Sequence, residues 1–259
     1  MIGGGPGSFI GAVHRIAARI DDGYELVAGA FSSKREKCLE TAAELGIDKE
    51  RAYGSWAELI EKEQALPEDQ RVEVIMITTP NHVHAGPTIA ALEAGFNVVL
   101  DKPLCTSMEE AEAIAKAVEN AKGLFCLTHT YTGYPMVKEA KQLIAKGTLG
   151  RTRKIYVEYP QGWLSTFLEG EGQTQASWRT DPKKSGKVGA MGDIGTHAFN
   201  LAEYVSGEKI KSVCAQLNTV VQGRALDDDG AVMFTTESGA TGVLMATQIA
   251  AGEENNLKI

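Results

Sequence analysis

Apolar residues in the first half of the chain form short runs that alternate with stripes of helical spacing. The run VEVIMITT at 72–79 is nearly continuous, which is typical of a strand buried on both faces of a parallel sheet. Further predicted strands are 1–2, 24–31, 97–100 and 124–128. Predicted helices are 34–45, 87–94 and 107–121, and the residues from 9 to 20 also show helical spacing. This alternation predicts an α/β domain with a doubly wound parallel sheet.

The alternation of strand and helix ends near residue 128. Beyond it, period-two patterns predict strands at 153–159, 211–221, 229–236 and 240–249, and helical spacing predicts helices at 135–145 and 189–205. Such an order favours a second domain of α+β type with an open, largely antiparallel sheet. The sequence therefore predicts two domains, 1–128 and 129–259.

The predicted helix 189–205, GAMGDIGTHAFNLAEYV, carries both an apolar and a polar stripe. The apolar stripe is Ile194, Ala198, Leu201 and Val205, and the polar stripe is Asp193, His197, Asn200 and Tyr204. Residues four apart on a helix lie one above the other, so Asp193 and His197 can reach one small molecule together. An imidazole titrates near neutrality, and a carboxylate can orient it. The pair is therefore a candidate proton-transfer set, with a partly solvated structural contact as the alternative.

The N-terminal segment, GGGPGSFIG, is a glycine-rich turn that leads into the first predicted helix. Gly3, Gly5 and Ser8 stand at the three positions of a dinucleotide-binding fingerprint, although serine replaces the usual third glycine. The next predicted strand ends in FSSKR, where an acidic residue would bind the ribose of NAD. Hydroxyl and cationic groups suit a 2′-phosphate, but the same residues also suit a helix start with Ser32 or Ser33 as N-cap. NAD and NADP both remain open.

Two further strand ends carry candidate chemistry, because ligands bind at the carboxyl ends of parallel strands. Pro80 and Asn81 follow the strand 72–79, and Lys102 follows the strand 97–100. Proline 103 restricts Lys102 to an extended backbone, which would present its ammonium group in a fixed direction. His82 and His84 have no third ligand at a suitable spacing, so no metal is predicted and positions beside the nicotinamide ribose are preferred.

Composition excludes several classes of partner. The net charge is −8 and the pI is near 5.3, and no run of lysine or arginine forms a stripe, so neither nucleic acid nor an anionic membrane is an expected partner. No apolar run approaches the roughly 18 residues of a membrane span, and no basic region opens a signal peptide. We expect a cytoplasmic protein. The four cysteines are scattered, which predicts reduced and mostly buried thiols.

The chain resembles the glucose-fructose oxidoreductase, inositol dehydrogenase and MocA-like (Gfo/Idh/MocA) family. The resemblance rests on GGGPGSFIG, ITTPNHVHAGPTIAALEAG, the DKP that stands for the usual EKP, and GDIGTH. It implies a Rossmann domain followed by an α/β domain, and a homo-oligomer, either a dimer or a tetramer. Carried onto matching positions, it makes Lys102, Asp193 and His197 the catalytic residues. Members generally exceed 300 residues, so the resemblance also implies a chain truncated at both ends.

These observations predict an NAD(P)-dependent oxidoreductase that transfers a hydride between nicotinamide and a hydroxyl-bearing carbon of a sugar, sugar derivative or polyol. The alternatives are an NAD-dependent glycoside-cleaving enzyme that uses transient oxidation, and a non-catalytic sugar or nucleotide sensor. The predicted cofactor-binding residues are Gly3, Gly5, Pro6, Gly7, Ser8, Phe9, Ser32, Ser33, Arg35, Thr79, Pro80, Asn81, His84, Asp101 and Lys102. The predicted substrate-binding residues are Lys102, Tyr131, Trp163, Trp178, Arg179, Asp193 and His197.

Overall fold

The chain folds into two units, Met1–Thr128 and His129–Ile259, each built on its own four-stranded sheet. The computed structural model describes residues 1–252 and 258–259. No helix in these described ranges is both long and apolar enough to cross a membrane.

The first unit contains a parallel sheet with strand order β1-β2-β3-β4. Its strands are β1 (Ile2–Gly3), β2 (Val74–Thr78), β3 (Asn97–Leu100) and β4 (Phe125–Leu127). Its helices are α1 (Phe9–Arg19), α2 (Arg35–Glu44), α3 (Trp56–Gln64), α4 (Ala85–Glu93) and α5 (Met108–Asn120). Ile75 and Ile77 of β2 are almost fully buried, as the continuous apolar run predicts. The predicted parallel α/β class is confirmed.

The strand predicted at 24–31 does not form. Only two bridges occur there, between Ile2 and Ala30 and between Gly29 and Ala52. The neighbouring strand β1 has 2 residues, so it offers Ala30 only two backbone hydrogen bonds: Gly3 N–H donates to the Ala30 carbonyl at 3.0 Å and Ala30 N–H donates to the Met1 carbonyl at 2.9 Å. Because a strand can extend only as far as its partner, the apolar run here stays an irregular segment.

Helix α1 packs through small and polar residues. Gly11 and His14 are its buried positions, whereas Val13, Ile16 and Ile20 are 43%, 56% and 61% exposed. A Cβ on Gly11 would lie 2.4 Å from the Gly4 Cα atom, so the helix approaches the glycine turn more closely than any other residue would allow. The apolar residues with helical spacing therefore lie on the exposed side of this helix.

The second unit contains a mixed sheet with strand order β5-β8-β7-β6. Its strands are β5 (Lys154–Pro160), β6 (Ile210–Asn218), β7 (Asp229–Thr236) and β8 (Thr241–Thr247). Only the β5–β8 pair is parallel, and the β8–β7 and β7–β6 pairs are antiparallel. Its helices are α6 (Pro135–Ala145), α7 (Thr174–Arg179), α8 (Pro182–Ser185) and α9 (Thr196–Ser206). The predicted open, largely antiparallel sheet is confirmed.

The segment predicted as one helix, 189–205, has two parts. Met191–Gly195 forms a π-helical turn, and α9 continues from it. Gly192 and Gly195 weaken the α-helical conformation here, since each glycine costs roughly 1 kcal/mol relative to alanine. The apolar stripe is buried, with Ile194, Ala198 and Leu201 all at least 97% buried, and Ile194 and Ala198 pack in one cluster with residues of β5, β7 and β8.

Of the four thiols, Cys38 is buried, Cys105 is half-buried, and Cys126 and Cys214 are exposed. The expectation that most of them are buried is wrong. Cys126 lies on β4, at the edge of the first sheet, and Cys214 on β6, at the edge of the second. An edge strand lacks a neighbour on one side, so it is covered less completely than a central strand.

Candidate active site

The glycine turn of the first unit lies directly before α1 and exposes its backbone. Gly3, Gly4 and Gly7 have φ angles of +82°, +77° and +78°, which residues with a side chain rarely adopt. A Cβ on Gly5 would lie 2.5 Å from the Phe31 carbonyl oxygen. The turn therefore brings bare backbone N–H groups to the N-terminus of α1, an arrangement that suits the pyrophosphate of a dinucleotide.

Ser8 and Gly11 divide the role of the third fingerprint position. Ser8 is the N-cap of α1, and its Oγ atom accepts a hydrogen bond from Gly11 N–H at 3.2 Å. Gly11 provides the close packing that the third glycine usually allows. Ser8 thus caps the helix, and Gly11 supplies the close packing that a glycine at position 8 would otherwise provide.

The segment after Phe31 carries the residues predicted to select the phosphate. Ser32 Oγ accepts a hydrogen bond from Lys34 N–H at 3.1 Å, while Ser33 is exposed. The Arg35 guanidinium donates to the Ala52 carbonyl oxygen. Ser33, Lys34 and Arg35 are all exposed, and Arg35 also makes a contact within its own unit.

His84 is fully buried and both of its ring nitrogens face carbonyl oxygens. Nδ1 lies 2.8 Å from the Pro103 oxygen and Nε2 lies 2.9 Å from the Thr79 oxygen. Burial lowers the pKa of His84, and the two carbonyl groups act against that shift. The ring therefore joins the segments that follow β2 and β3. His84 is thus held by backbone groups of both segments, and its part in cofactor binding stays a prediction.

Asp101 and Lys102 follow β3. The Asp101 Oδ1 atom lies 3.2 Å from His14 Nε2 and 3.1 Å from Thr128 Oγ1. Burial opposes ionisation of this carboxyl group, but hydrogen bonds from His14 and Thr128 and the charge of Lys102 outweigh it and lower its pKa. Asp101 thus anchors the segment to α1 and β4. Lys102 is half-buried and follows Asp101 directly, so the contacts of Asp101 fix the backbone from which the Lys102 side chain extends.

In the second unit, Asp227 holds the start of the π-helical turn. Its Oδ1 accepts from Gly189 N–H at 2.6 Å, its Oδ2 accepts from Met191 N–H at 2.9 Å, and its backbone carbonyl accepts from Ala190 N–H at 2.9 Å. A Cβ on Gly189 would lie 2.2 Å from that carbonyl oxygen. One residue thus satisfies three successive N–H groups at a helix start, where they have no partner within the helix. π-Helical turns occur frequently at functional sites.

Aromatic rings surround His197, which is 7% exposed. The Tyr131 ring meets its imidazole edge-on at 4.9 Å between centroids, the His129 ring does so at 5.7 Å, and the Tyr159 ring lies at 6.3 Å. The Tyr131 and Tyr159 hydroxyl groups share a hydrogen bond. This packing restricts the orientation of the imidazole ring.

Asp193 lies one turn before His197 and is held by two donors. Gln248 Nε2 donates to its Oδ2 atom at 2.8 Å, and Arg179 Nε lies 3.5 Å from the same oxygen. The Arg179 guanidinium also stacks on the Trp178 ring, with its Cζ atom 4.2 Å from the ring centroid. The structure therefore brings Arg179 and Trp178 to Asp193.

Trp163 lies beside the end of β8. Its Nε1 atom donates to Gln161 Oε1 at 3.0 Å, and the next residue, Leu164, donates its N–H to the Gln248 carbonyl at 3.1 Å. All the predicted substrate-binding residues of the second unit thus belong to segments that meet near Asp193 or His197.

Sequence reasoning missed Asp227, Gln248, His129 and Tyr159. A signal existed for Gln248, because period two places it on the same face as the buried residues Leu244 and Ala246. A buried amide needs a hydrogen-bond partner, so a glutamine on the core face of a strand is informative. Asp227 belongs to a run of three aspartates that has no distinguishing pattern.

No group of three or more histidine, cysteine, aspartate or glutamate residues within the described ranges is arranged to hold a metal ion. The carboxylate of Asp193 and the imidazole of His197 lie four residues apart in successive helical turns, and such groups suit proton transfer. The glycine turn suits a dinucleotide.

Two family models match consecutive parts of the chain. The oxidoreductase family with an NAD-binding Rossmann fold matches residues 1–129, and the GFO/IDH/MocA C-terminal domain matches residues 137–259. The first unit is thus an NAD-binding Rossmann domain.

Individual relatives agree with both matches. The chain is 33% identical to the uncharacterised oxidoreductase YfiI of Bacillus subtilis, over 97% of this chain and 64% of that protein. It is 32% identical to levoglucosan dehydrogenase of Pseudarthrobacter phenanthrenivorans, over 93% of this chain and 59% of that protein. The chain therefore spans about three fifths of the length of these curated relatives.

A solved structure extends the likeness to three dimensions. The inositol dehydrogenase homologue of Azotobacter vinelandii, complexed with NAD+, is 35% identical and superposes with a TM-score of 0.93 over 99% of this chain and 66% of that one. Because the two family models together match nearly the whole sequence, this protein belongs to the GFO/IDH/MocA family of oxidoreductases.

Proposed function

We propose that this protein is an NAD(P)-dependent dehydrogenase that reversibly oxidises a hydroxyl-bearing carbon of a sugar, sugar derivative or polyol. The observation that carries the proposal is the pair Asp193 and His197 on one braced turn, in a family whose first domain binds NAD. Levoglucosan dehydrogenase and the inositol dehydrogenase homologue support the substrate class. We extend the proposal to a small-molecule substrate and a homo-oligomeric assembly.

In this proposal His197 is the general base that takes the hydroxyl proton. Its ring is held by Tyr131, His129 and Tyr159, so the imidazole meets the substrate in one orientation. A positioned general base contributes roughly 100- to 10,000-fold in rate. The proposed role of Lys102, which belongs to the first unit, is to stabilise negative charge that develops on the substrate. Asp193 orients the imidazole or accepts a hydrogen bond from a second hydroxyl group.

Bound NAD or NADP would supply the carbon that accepts or returns the hydride. The glycine turn and the N-terminus of α1 would hold the pyrophosphate, with Thr79, Pro80 and Asn81 nearer the nicotinamide end. Ser33 and Lys34 would favour a 2′-phosphate, and no acidic side chain stands at 31–35 to bind the 2′-hydroxyl of NAD.

Titration with NAD, NADH, NADP and NADPH, followed by nicotinamide fluorescence, tests cofactor binding. Gly5→Ala should weaken cofactor binding, because the new Cβ would meet the Phe31 carbonyl oxygen. In the matched control Gly133→Ala the new Cβ would meet no atom within 4 Å, so cofactor binding should stay unchanged. Sugars and polyols are then screened for absorbance of reduced nicotinamide. Folded protein that binds none of the four cofactors would contradict the dehydrogenase proposal and leave a sensor. Glycoside cleavage without net reduced nicotinamide would indicate transient oxidation instead.

A further inference from the structure

Gln248 follows β8 directly and is 2% exposed. Its backbone is held on both sides: its N–H donates to the Asp228 carbonyl at 2.8 Å, and its carbonyl accepts from Leu164 N–H at 3.1 Å. Asp228 is itself fully buried and paired with Arg224 at 3.2 Å. The base of the Gln248 side chain is therefore fixed by the sheet and by a buried ion pair.

The end of that side chain contacts one of the proposed functional groups. Gln248 Nε2 lies 2.8 Å from Asp193 Oδ2. An ionised carboxylate only accepts hydrogen bonds, so the amide must present its N–H₂ group to this oxygen. A neutral apolar side chain of similar size would fill the same space but would leave the oxygen without this donor.

A charged group from another element also faces the Asp193 carboxylate. Arg179 of α7 lies 3.5 Å from the same oxygen. Gln248 follows strand β8 and donates a hydrogen bond to this carboxylate from a neutral amide. A hydrogen bond to the ionised form of a carboxyl group favours that form.

We propose that Gln248 is a positioning residue for Asp193: its amide holds the Oδ2 atom and so orients the carboxylate. The proposal rests on the proposed function, in which Asp193 acts beside His197. Gln248 then fixes the direction in which the carboxylate points, toward the imidazole or the substrate.

Gln248→Glu tests this in an almost isosteric way, because it replaces the donor by a second carboxylate. Two carboxylates that share one site cannot both ionise readily. We expect kcat to fall about 10- to 100-fold at neutral pH, as misplaced catalytic groups do. The acidic limb of the pH profile should move to higher pH, while KM for the cofactor stays unchanged. Gln142→Glu, on the exposed side of α6, is the matched control and should behave as the parent protein does.

A double-mutant comparison separates positioning from general loss of structure. In an Asp193→Asn background, Gln248→Glu should cause little further loss, because the group that it positions is already altered. Equal losses in both backgrounds would overturn the proposal. An unchanged rate and pH profile for Gln248→Glu in an active enzyme would overturn it as well.

NMR gives a readout that needs no activity and no Gln248 variant. In the parent protein, the Gln248 side-chain amide resonance should shift with pH together with the Asp193 carboxyl ¹³C resonance, and Asp193→Asn should abolish that shift. An amide resonance that is indifferent to the Asp193 titration would overturn the proposal. If no sugar or polyol is oxidised but the linked titration is found, the proposed function fails while the positioning of Asp193 by Gln248 stands.

Discussion

Replacing Asp227 with asparagine should loosen the turn that carries Asp193. The carboxylate holds Gly189 N–H at 2.6 Å and Met191 N–H at 2.9 Å, and asparagine keeps only one of these two acceptors. Its NH₂ group would face the other N–H. The lost hydrogen bond to a charged group contributes about 1.5–3 kcal/mol and the N–H left unsatisfied costs about 1 kcal/mol more, so we expect a loss of about 2.5–4 kcal/mol.

Urea unfolding followed by tryptophan fluorescence can measure this loss in the second unit. Trp56 belongs to the first unit, so Trp56→Phe leaves only Trp163 and Trp178 as reporters. With an m value of about 2 kcal/mol/M, the midpoint should fall by roughly 1–2 M while m stays constant. Asp181→Asn is the matched control, because Asp181 caps a short exposed helix and asparagine caps as well as aspartate. A midpoint that shifts no more than in this control would refute the reasoning.

Four further predictions concern the buried ionisable groups and the proposed base. Glu63 is fully buried and binds Arg51, Tyr53 and the Val72 N–H. Glu63→Gln should therefore lower the free energy of unfolding of the first unit by about 3–5 kcal/mol, as measured by urea unfolding. A loss no larger than that caused by an exposed Glu→Gln control would contradict this. Burial opposes ionisation of Glu63 and Asp101, but their partners outweigh it and lower their pKa values. Both groups therefore stabilise the fold at neutral pH, and calorimetric Tm should fall as the pH drops below about 4; a flat acid limb would argue against it. Burial raises the pKa of Tyr53 to about 12, so absorbance titration should show one late tyrosine that Tyr53→Phe removes. His197→Ala should lower kcat roughly 100- to 10,000-fold with cofactor binding retained, and parental turnover would rule out its role as base.

Local pattern is sufficient for most of the architecture. The strand predicted at 229–236 is observed as Asp229–Thr236, and the helix predicted at 135–145 as Pro135–Ala145. Alternation of period two and stripes of period 3.6 depend only on neighbouring residues, so they can be read from the chain directly. The motifs that identify the family are equally local.

Patterns failed where a distant residue decided the outcome. Residues 24–31 read as a strand, but the length of β1 limits what they can pair with. Helical spacing at 9–20 predicts the helix α1, but the spacing does not show that Gly11 and His14 are the residues that pack. The local pattern around His84 does not show that its ring is buried between two backbone carbonyls, one of which lies 19 residues away.

By itself the sequence determined the type of most elements, though not the irregular segment at 24–31 or the helices α3, α7 and α8. It also determined the two-part division of its patterns and the identity of Lys102, Asp193 and His197 as candidate chemistry. The tertiary structure alone decided what holds those groups. Gln248 reaches Asp193 across 55 residues of chain, and Asp227 reaches Gly189 across 38. Hydrogen bonds of this separation have no local periodicity, because they depend on which strand ends the folded sheet brings beside the helix.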